Sequence, residues 1–190
     1  MQVVSIISTK GGVGKTTTAA NLGGLAADAG LRVLLLDLDV QPTLSSYYEL
    51  TQRAPGGIYE LLAFNERDLG QLVSRTIIAG LDLVLSNDHR GELNTLLLHA
   101  PDGRLRLRHL LPALAPLYDL VLIDCPPGNG ELQDAALMAG TVRDNLLLAD
   151  DHASEDRLWQ ALRDAALDTV VRALPEGLDS WLGEDGARLS

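Results

Sequence analysis

The 190-residue chain is 46% hydrophobic and 22% charged, the balance of a globular domain that can bury one core of useful size. Its net charge of −11 is uneven: residues 1 to 130 hold 2 Lys and 8 Arg against 13 acids, giving −3, and residues 131 to 190 hold 5 Arg against 13 acids, giving −8. One cysteine, Cys125, excludes an internal disulfide, and the absence of a basic, then apolar leader or of a long uninterrupted apolar run argues against secretion or a membrane span, so a cytoplasmic location is expected.

In chain order, apolar runs predict strands at 2 to 8, 32 to 38, 81 to 86 and 119 to 124, each apolar on both faces as buried parallel strands are. Helical spacing predicts helices at 15 to 29, with Gly30 as its stop, and at 57 to 63, 91 to 98 and 105 to 115. Beyond these, Gly130 to Gly140 reads as helical and Asn145 to Ala149 as extended. Ser154 to Leu174 reads as one amphipathic helix behind a Ser154 cap and an acidic first turn, with Leu158, Leu162, Ala165, Ala166, Val170 and Ala173 on its apolar side. The alternation implies an α/β fold, a mostly parallel sheet with helices on both sides and a helical C-terminal segment. Such sheets bind ligands beyond the C-terminal ends of their strands, where the loops at 9 to 16, 39 to 42 and 124 to 128 emerge.

The first of those loops carries the strongest chemistry. Lys10, Gly11, Gly12, Val13, Gly14, Lys15, Thr16 and Thr17 stand between the first strand and the first helix, and Lys10 and Lys15 are the only lysines in the chain. Glycines let backbone N–H groups turn inward onto phosphate oxygens, and the following helix adds the positive end of its dipole. Lys15 supplies a compact charge for the terminal phosphates and the Thr16 hydroxyl suits Mg²⁺. A glycine-rich turn with no ligand is the bland alternative, disfavoured by the order strand, loop, Lys-Thr, helix. The pattern is deviant, since Thr9 occupies the place of the usual first glycine and a second lysine follows it.

This octet resembles the deviant Walker A loop of the ParA/MinD family of P-loop ATPases. Two more stretches do the same: Val33 to Pro42, containing Asp37, Asp39 and Gln41, is similar to the family's second-strand motif, and Tyr118 to Pro127, containing Asp124, is similar to its Walker B strand. Gln41, Pro42 and the segment Gly80 to Asn87 lean towards the plasmid and chromosome partition members. The resemblance covers residues 1 to 130, taken as a ParA-like core. It implies that Gly11 to Thr17 hold ATP, that Thr16 and Asp124 hold Mg²⁺, and that Asp39 orients and can deprotonate the attacking water, Asp37 being the weaker candidate. It further implies that Lys10 reaches across an ATP-dependent homodimer to the partner's phosphates, and that the partners are a ParB-like protein and non-specific DNA. An acid capping the turn after its strand is the commoner fate of a lone Asp. The guanine-reading N-K-x-D motif needs a lysine that this chain lacks outside its loop, which favours ATP.

Other residues read as bland. His89, His99, His109 and His152 lack metal-ligand spacing, and Arg104, Arg106 and Arg108, at spacing two, do not share a helix face and are expected to be solvated. Cys125 reads as a small strand-end residue. Residues 131 to 190 resemble the helical subdomain of an ABC exporter's nucleotide-binding domain, with Gln133 at the Q-loop position and Leu189 and Ser190 opening the signature sequence; the chain is therefore expected to be chimeric or truncated. Four functions stay open: a partition ATPase, a nucleotide-binding module without turnover, a fragment of an ABC transporter, and a membrane-cycling MinD-like ATPase, which the acidic C-terminus disfavours.

Overall fold

A computed structural model describes residues 1–8, 10–128, 130–136, 140–147, 153–164 and 167–182. The chain divides into two compact units, Met1–Ala136 and Leu137–Ser190.

In the first unit the elements run β1 (Gln2–Ile6), α1 (Lys15–Asp28), β2 (Val33–Asp37), β3 (Leu50–Gln52), α2 (Ile58–Phe64), α3 (Leu69–Leu72), β4 (Val73–Thr76), β5 (Leu81–Val84), α4 (Leu93–His99), α5 (Arg106–Leu114), β6 (Leu120–Asp124) and α6 (Glu131–Ala136). They build one six-stranded sheet in the order β1-β6-β2-β5-β4-β3. β1, β6, β2 and β5 are parallel, and every residue of β2 and β6 is buried, which is why both read as unbroken apolar runs closed by an Asp. β3 and β4 are an antiparallel addition that the apolar runs did not predict. β4 alternates buried and exposed positions, with Arg75 opposite Asp82 of β5, so it carries the period of a one-sided strand.

α1 presents Ala19, Ala20, Gly23, Ala26 and Ala27 to the sheet. A Cβ on Gly23 would stand 2.8 Å from Leu35 Cδ2, so glycine here permits a close helix-to-strand approach. Because β6 inserts between β1 and β2, the crossover through α1 opens a crevice at the C-terminal ends of these strands.

Arg106 is not solvated. Its guanidinium donates to the carbonyls of Leu62 and Ala63 at the end of α2, the latter at 2.9 Å, and to Asp102 at 3.1 Å, leaving the side chain 15% exposed. Those carbonyls have no partner further along their own helix, and a cation at a helix C-terminus satisfies them.

The second unit contains β7 (Gly140–Thr141), α7 (Val142–Leu147), α8 (Glu155–Asp164), α9 (Asp168–Ala173) and β8 (Trp181–Leu182), with β7 and β8 paired antiparallel. Val142, Leu162, Val171 and Leu178 form its small core, flanked by Leu146, Trp159 and Leu174. Arg143 joins Asp179 at 2.7 Å and Glu155 at 3.3 Å, and the Arg172 guanidinium lies 4.1 Å from the centre of the Trp159 ring. Three readings need correction. Asn145 to Leu147, expected extended, belong to α7, where Val142 and Leu146, four apart, face one core; Leu148 and Ala149 lie outside the described residues. The helix expected at Gly130 to Gly140 is described over Glu131–Ala136, and Gly140 pairs as strand. The single helix at Ser154 to Leu174 is two, with Leu167 non-helical between them. Val171, not Val170, takes the buried place, because the break resets the helical phase; Ala165 and Ala166 lie outside the described residues.

Candidate functional site

Three strand ends meet in the crevice. In the sheet register Ile6 of β1 and Asp37 of β2 both flank Asp124 of β6, so the loops that follow leave from one level.

The loop after β1 is the phosphate-type loop. Gly12 and Gly14 have φ of +71° and +88°, a left-handed backbone that other residues rarely adopt, and no atom lies within 4 Å of a Cβ built on either. Backbone direction, with space left open above it, is what these glycines provide. α1 starts at Lys15 behind Gly14, with no side-chain cap and no acid in its first turn, so its leading N–H groups remain free for an anion. The Lys15 Nζ folds back to the Lys10 carbonyl at 3.4 Å, and the Lys10 N–H donates to Ser8 Oγ at 3.2 Å. Lys10, Gly11 and Val13 are exposed, Lys15 and Thr16 half-buried. Thr17 Oγ1 lies 3.4 Å from Tyr47 Oη. Thr9 lies outside the described residues.

Asp124, 1% exposed, has neither carboxylate oxygen in a well-formed hydrogen bond, the Thr16 hydroxyl being a near donor. Burial raises its pKa; the nearby Thr16 hydroxyl opposes this, the Asp39 charge adds to it and the Lys15 ammonium opposes it. An orphaned buried carboxylate beside a threonine hydroxyl and an ammonium is a site that wants a cation. It fits Mg²⁺ held by Thr16 and Asp124, with phosphate oxygens and water to complete the shell, since among the described residues no group of three His, Cys, Asp or Glu can hold a metal alone.

Asp37, 0% exposed, is occupied otherwise. Its Oδ2 accepts from Ser45 N at 2.8 Å and Ser45 Oγ at 2.7 Å, and its Oδ1 from Asp39 N at 3.3 Å. Burial pushes its carboxyl up to about 7. It is an anchor for the loop that follows β2. Asp39, half-buried on that loop, accepts from Gln41 N at 3.0 Å through Oδ1. Sequence reasoning missed Ser45 and Ser86, which complete this arrangement from 8 and 41 residues apart, with no local pattern to mark them. Cys125, fully buried behind Asp124, has its thiol pushed up by burial and stays neutral. Gln133 carries no described side chain, and His152, Leu189 and Ser190 lie outside the described residues.

A cleft of about 370 Å³ opens at the other end of the sheet, lined by Arg32, Arg75, Asp82 and Tyr118 among others. There Arg32 is held by Asp119 at 2.8 Å and Tyr118 Oη donates to Asp82 at 2.8 Å, so its polar groups answer one another. It lies away from the glycine loop.

A mostly parallel sheet whose first strand runs through a glycine loop into a helix, with acids at the ends of its neighbours, defines a P-loop nucleotide-binding fold. Residues 1–149 match the family model described as an AAA domain. The chain belongs to that family, and its similarity is to P-loop proteins of the ParA type. It is 38% identical over 139 residues to the chromosome partitioning protein ParA of Myxococcus xanthus, covering 73% of this chain and 49% of that protein. Among solved structures, cobyrinic acid a,c-diamide synthase from Mycobacterium smegmatis with a bound ATP analog and magnesium superposes with a TM-score of 0.66 at 32% identity, covering 72% of this chain and 56% of that one. A plasmid partition protein from Borrelia burgdorferi does so with a TM-score of 0.62 at 28% identity, over 72% and 61%. The chain spans about half the length of the curated relatives it matches.

Proposed function

We propose that this chain is a Mg²⁺-dependent ATPase of the DNA-partition type, acting as an ATP-bound homodimer with a ParB-like partner. The observation that carries the catalytic part is Asp124, buried and unpartnered beside Thr16 and Lys15 at the foot of a glycine loop. In this reading the N–H groups of Gly11 to Thr17 cradle the phosphates and Lys15 leaves the Lys10 carbonyl to hold the terminal ones. Mg²⁺ held by Thr16 and Asp124 would neutralise charge on the β and γ phosphates. Asp39, its Oδ1 already taken by Gln41, turns its other oxygen to a water that attacks the γ phosphorus; the bond to the bridging oxygen breaks and ADP and phosphate leave. Lys10, exposed at the loop, serves the phosphates of the second copy. The partition role and its partners rest on the relatives, and the homodimer on the resemblance of Lys10.

A second reading, nucleotide binding without turnover, is favoured by one fact: the family match ends at residue 149, and the residues after it lie outside the matched stretch. Phosphate release from ATP and Mg²⁺, measured with and without duplex DNA, separates the two. Turnover that disappears in Lys15→Ala supports the ATPase; tight ATP binding with no release supports the module. No helix among the described residues is long and apolar enough to cross a membrane.

A further inference from the structure

Asp39 is held by its backbone from two directions. Its N–H donates to Asp37 Oδ1 at 3.3 Å, and its carbonyl accepts from the Ser86 hydroxyl, which sits just past β5. Ser86 is 6% exposed, and its own N–H donates to Ser45 Oγ at 3.0 Å. Ser45 in turn donates its hydroxyl to Asp37 Oδ2 at 2.7 Å and its N–H to the same oxygen at 2.8 Å. The four residues thus close a ring, Asp37 to Ser45 to Ser86 to Asp39 and back to Asp37, that ties the loop after β2 to the end of β5. The Asp39 carboxylate is the one side chain of the four that takes no part in the ring, and Gln41 N donates to its Oδ1 at 3.0 Å.

We infer that Ser86 is a positioning residue for Asp39, locking the Asp39 peptide so that its free carboxylate oxygen is aimed before nucleotide arrives. Nothing in the ring belongs to the glycine loop, so Ser86 acts on the step that uses Asp39 and leaves nucleotide affinity alone. A loop residue anchored only at its N–H could swing about that point; the second anchor, from a neighbouring strand, removes the swing. Small angular errors in the group that orients a nucleophile cost rate directly. The inference rests on the assignment of Asp39 to the attacking water.

The test compares Ser86→Ala, Ser86→Thr, Asp39→Ala and the double variant S86A/D39A in steady-state ATP hydrolysis, in titration calorimetry with ATP and Mg²⁺, and in amide exchange over residues 39 to 41. Loss of one buried hydrogen bond predicts kcat down about tenfold in Ser86→Ala. ATP affinity should stay within about twofold, and the amides of Asp39 and Gln41 should exchange faster. Ser86→Thr, which keeps the hydroxyl, should recover most of the rate. The double variant should be no slower than Asp39→Ala, because Ser86 works through Asp39. Full turnover in Ser86→Ala, unchanged exchange at residues 39 to 41, or additive losses in the double variant would each overturn the inference. Should Ser86→Ala not fold, an equally slow but folded Ser86→Thr with fast exchange overturns it, and a Ser86→Thr with near-normal rate and protection upholds it. Wild-type-like turnover in Asp39→Ala sinks the catalytic assignment of Asp39 instead, a distinct outcome.

Discussion

Asp37 and Asp124 stand opposite one another in the register of β2 and β6, both buried, yet Asp37 accepts three hydrogen bonds and Asp124 none. Two identical side chains at the same level of one sheet therefore have opposite needs. The first is a finished internal contact, and the second is complete only with a cation. That difference separates the acid with a structural role from the one proposed to bind the metal.

Removing the charge of Asp124 should therefore stabilise the empty protein. Asp124→Asn is expected to raise its thermal midpoint by about 2–4 °C, the shift that about 1 kcal/mol produces in a chain of this size, and to lose the further rise that wild type shows on adding ATP with Mg²⁺ over ATP alone. Thermal unfolding under the three conditions checks it; a lower midpoint in the empty variant contradicts the orphaned-carboxylate reading.

Lys15→Ala should weaken ATP binding at least about tenfold, since a charged hydrogen-bonding group facing phosphates contributes about 1.5–3 kcal/mol. No other lysine outside the loop can substitute. Titration calorimetry with ATP and Mg²⁺ measures it, and unchanged affinity would remove the glycine loop from the nucleotide site.

Asp39→Ala should keep ATP binding and lose hydrolysis by on the order of a hundredfold or more. Phosphate release read beside calorimetry separates the two effects, and intact turnover would move the water-orienting role elsewhere.

Asp37 gives the pH dependence. Burial lifts its carboxyl to about 7, above the ~3.9 of a free aspartate, so the fold favours its protonated form. The stability this contributes is complete below about pH 4 and is lost as pH rises through about 7. Urea unfolding midpoints should fall between pH 5 and pH 8, with a shallower fall in Asp37→Asn. Equal slopes in the two proteins would refute it.

The acidic C-terminal stretch should not recruit DNA. With net charge −8 over residues 131 to 190 and no lysine there, it offers little for counterion release. Filter binding at low salt should show weak retention of duplex DNA by the whole chain, and tight, salt-sensitive retention would reveal a competent arginine surface.

The sheet centre could be read from the chain because β2 and β6 are covered on both faces and so appear as apolar runs, and because each ends in an Asp before a turn. The glycine loop was readable for the same local reason: Gly12 and Gly14 encode a backbone direction by themselves. β3 and β4 were hidden, being short, one-sided and at the sheet's antiparallel edge. Arg106 misled because its partners, the carbonyls of Leu62 and Ala63, lie more than forty residues back, and a charge beside a helix start gives no hint of a distant helix end. Ser45 and Ser86 were invisible for the same reason. A serine near a loop is commonplace until folding sets it against Asp37 or Asp39.

Gly23 bears on how the helix behind the glycine loop is seated. With Leu35 Cδ2 only 2.8 Å from where a Cβ would stand, the helix carrying Lys15 to Thr17 is seated on β2 by direct contact, so the height of its amino end above the sheet is set in the empty protein. In the proposed reading the ordering cost of the cradle is thus met when the chain folds, and a nucleotide would arrive at amides already in place, which favours affinity without added contacts. A single methyl at position 23, about two helical turns from Thr16 and remote from any phosphate, would have to displace the end of the Leu35 side chain beneath the helix.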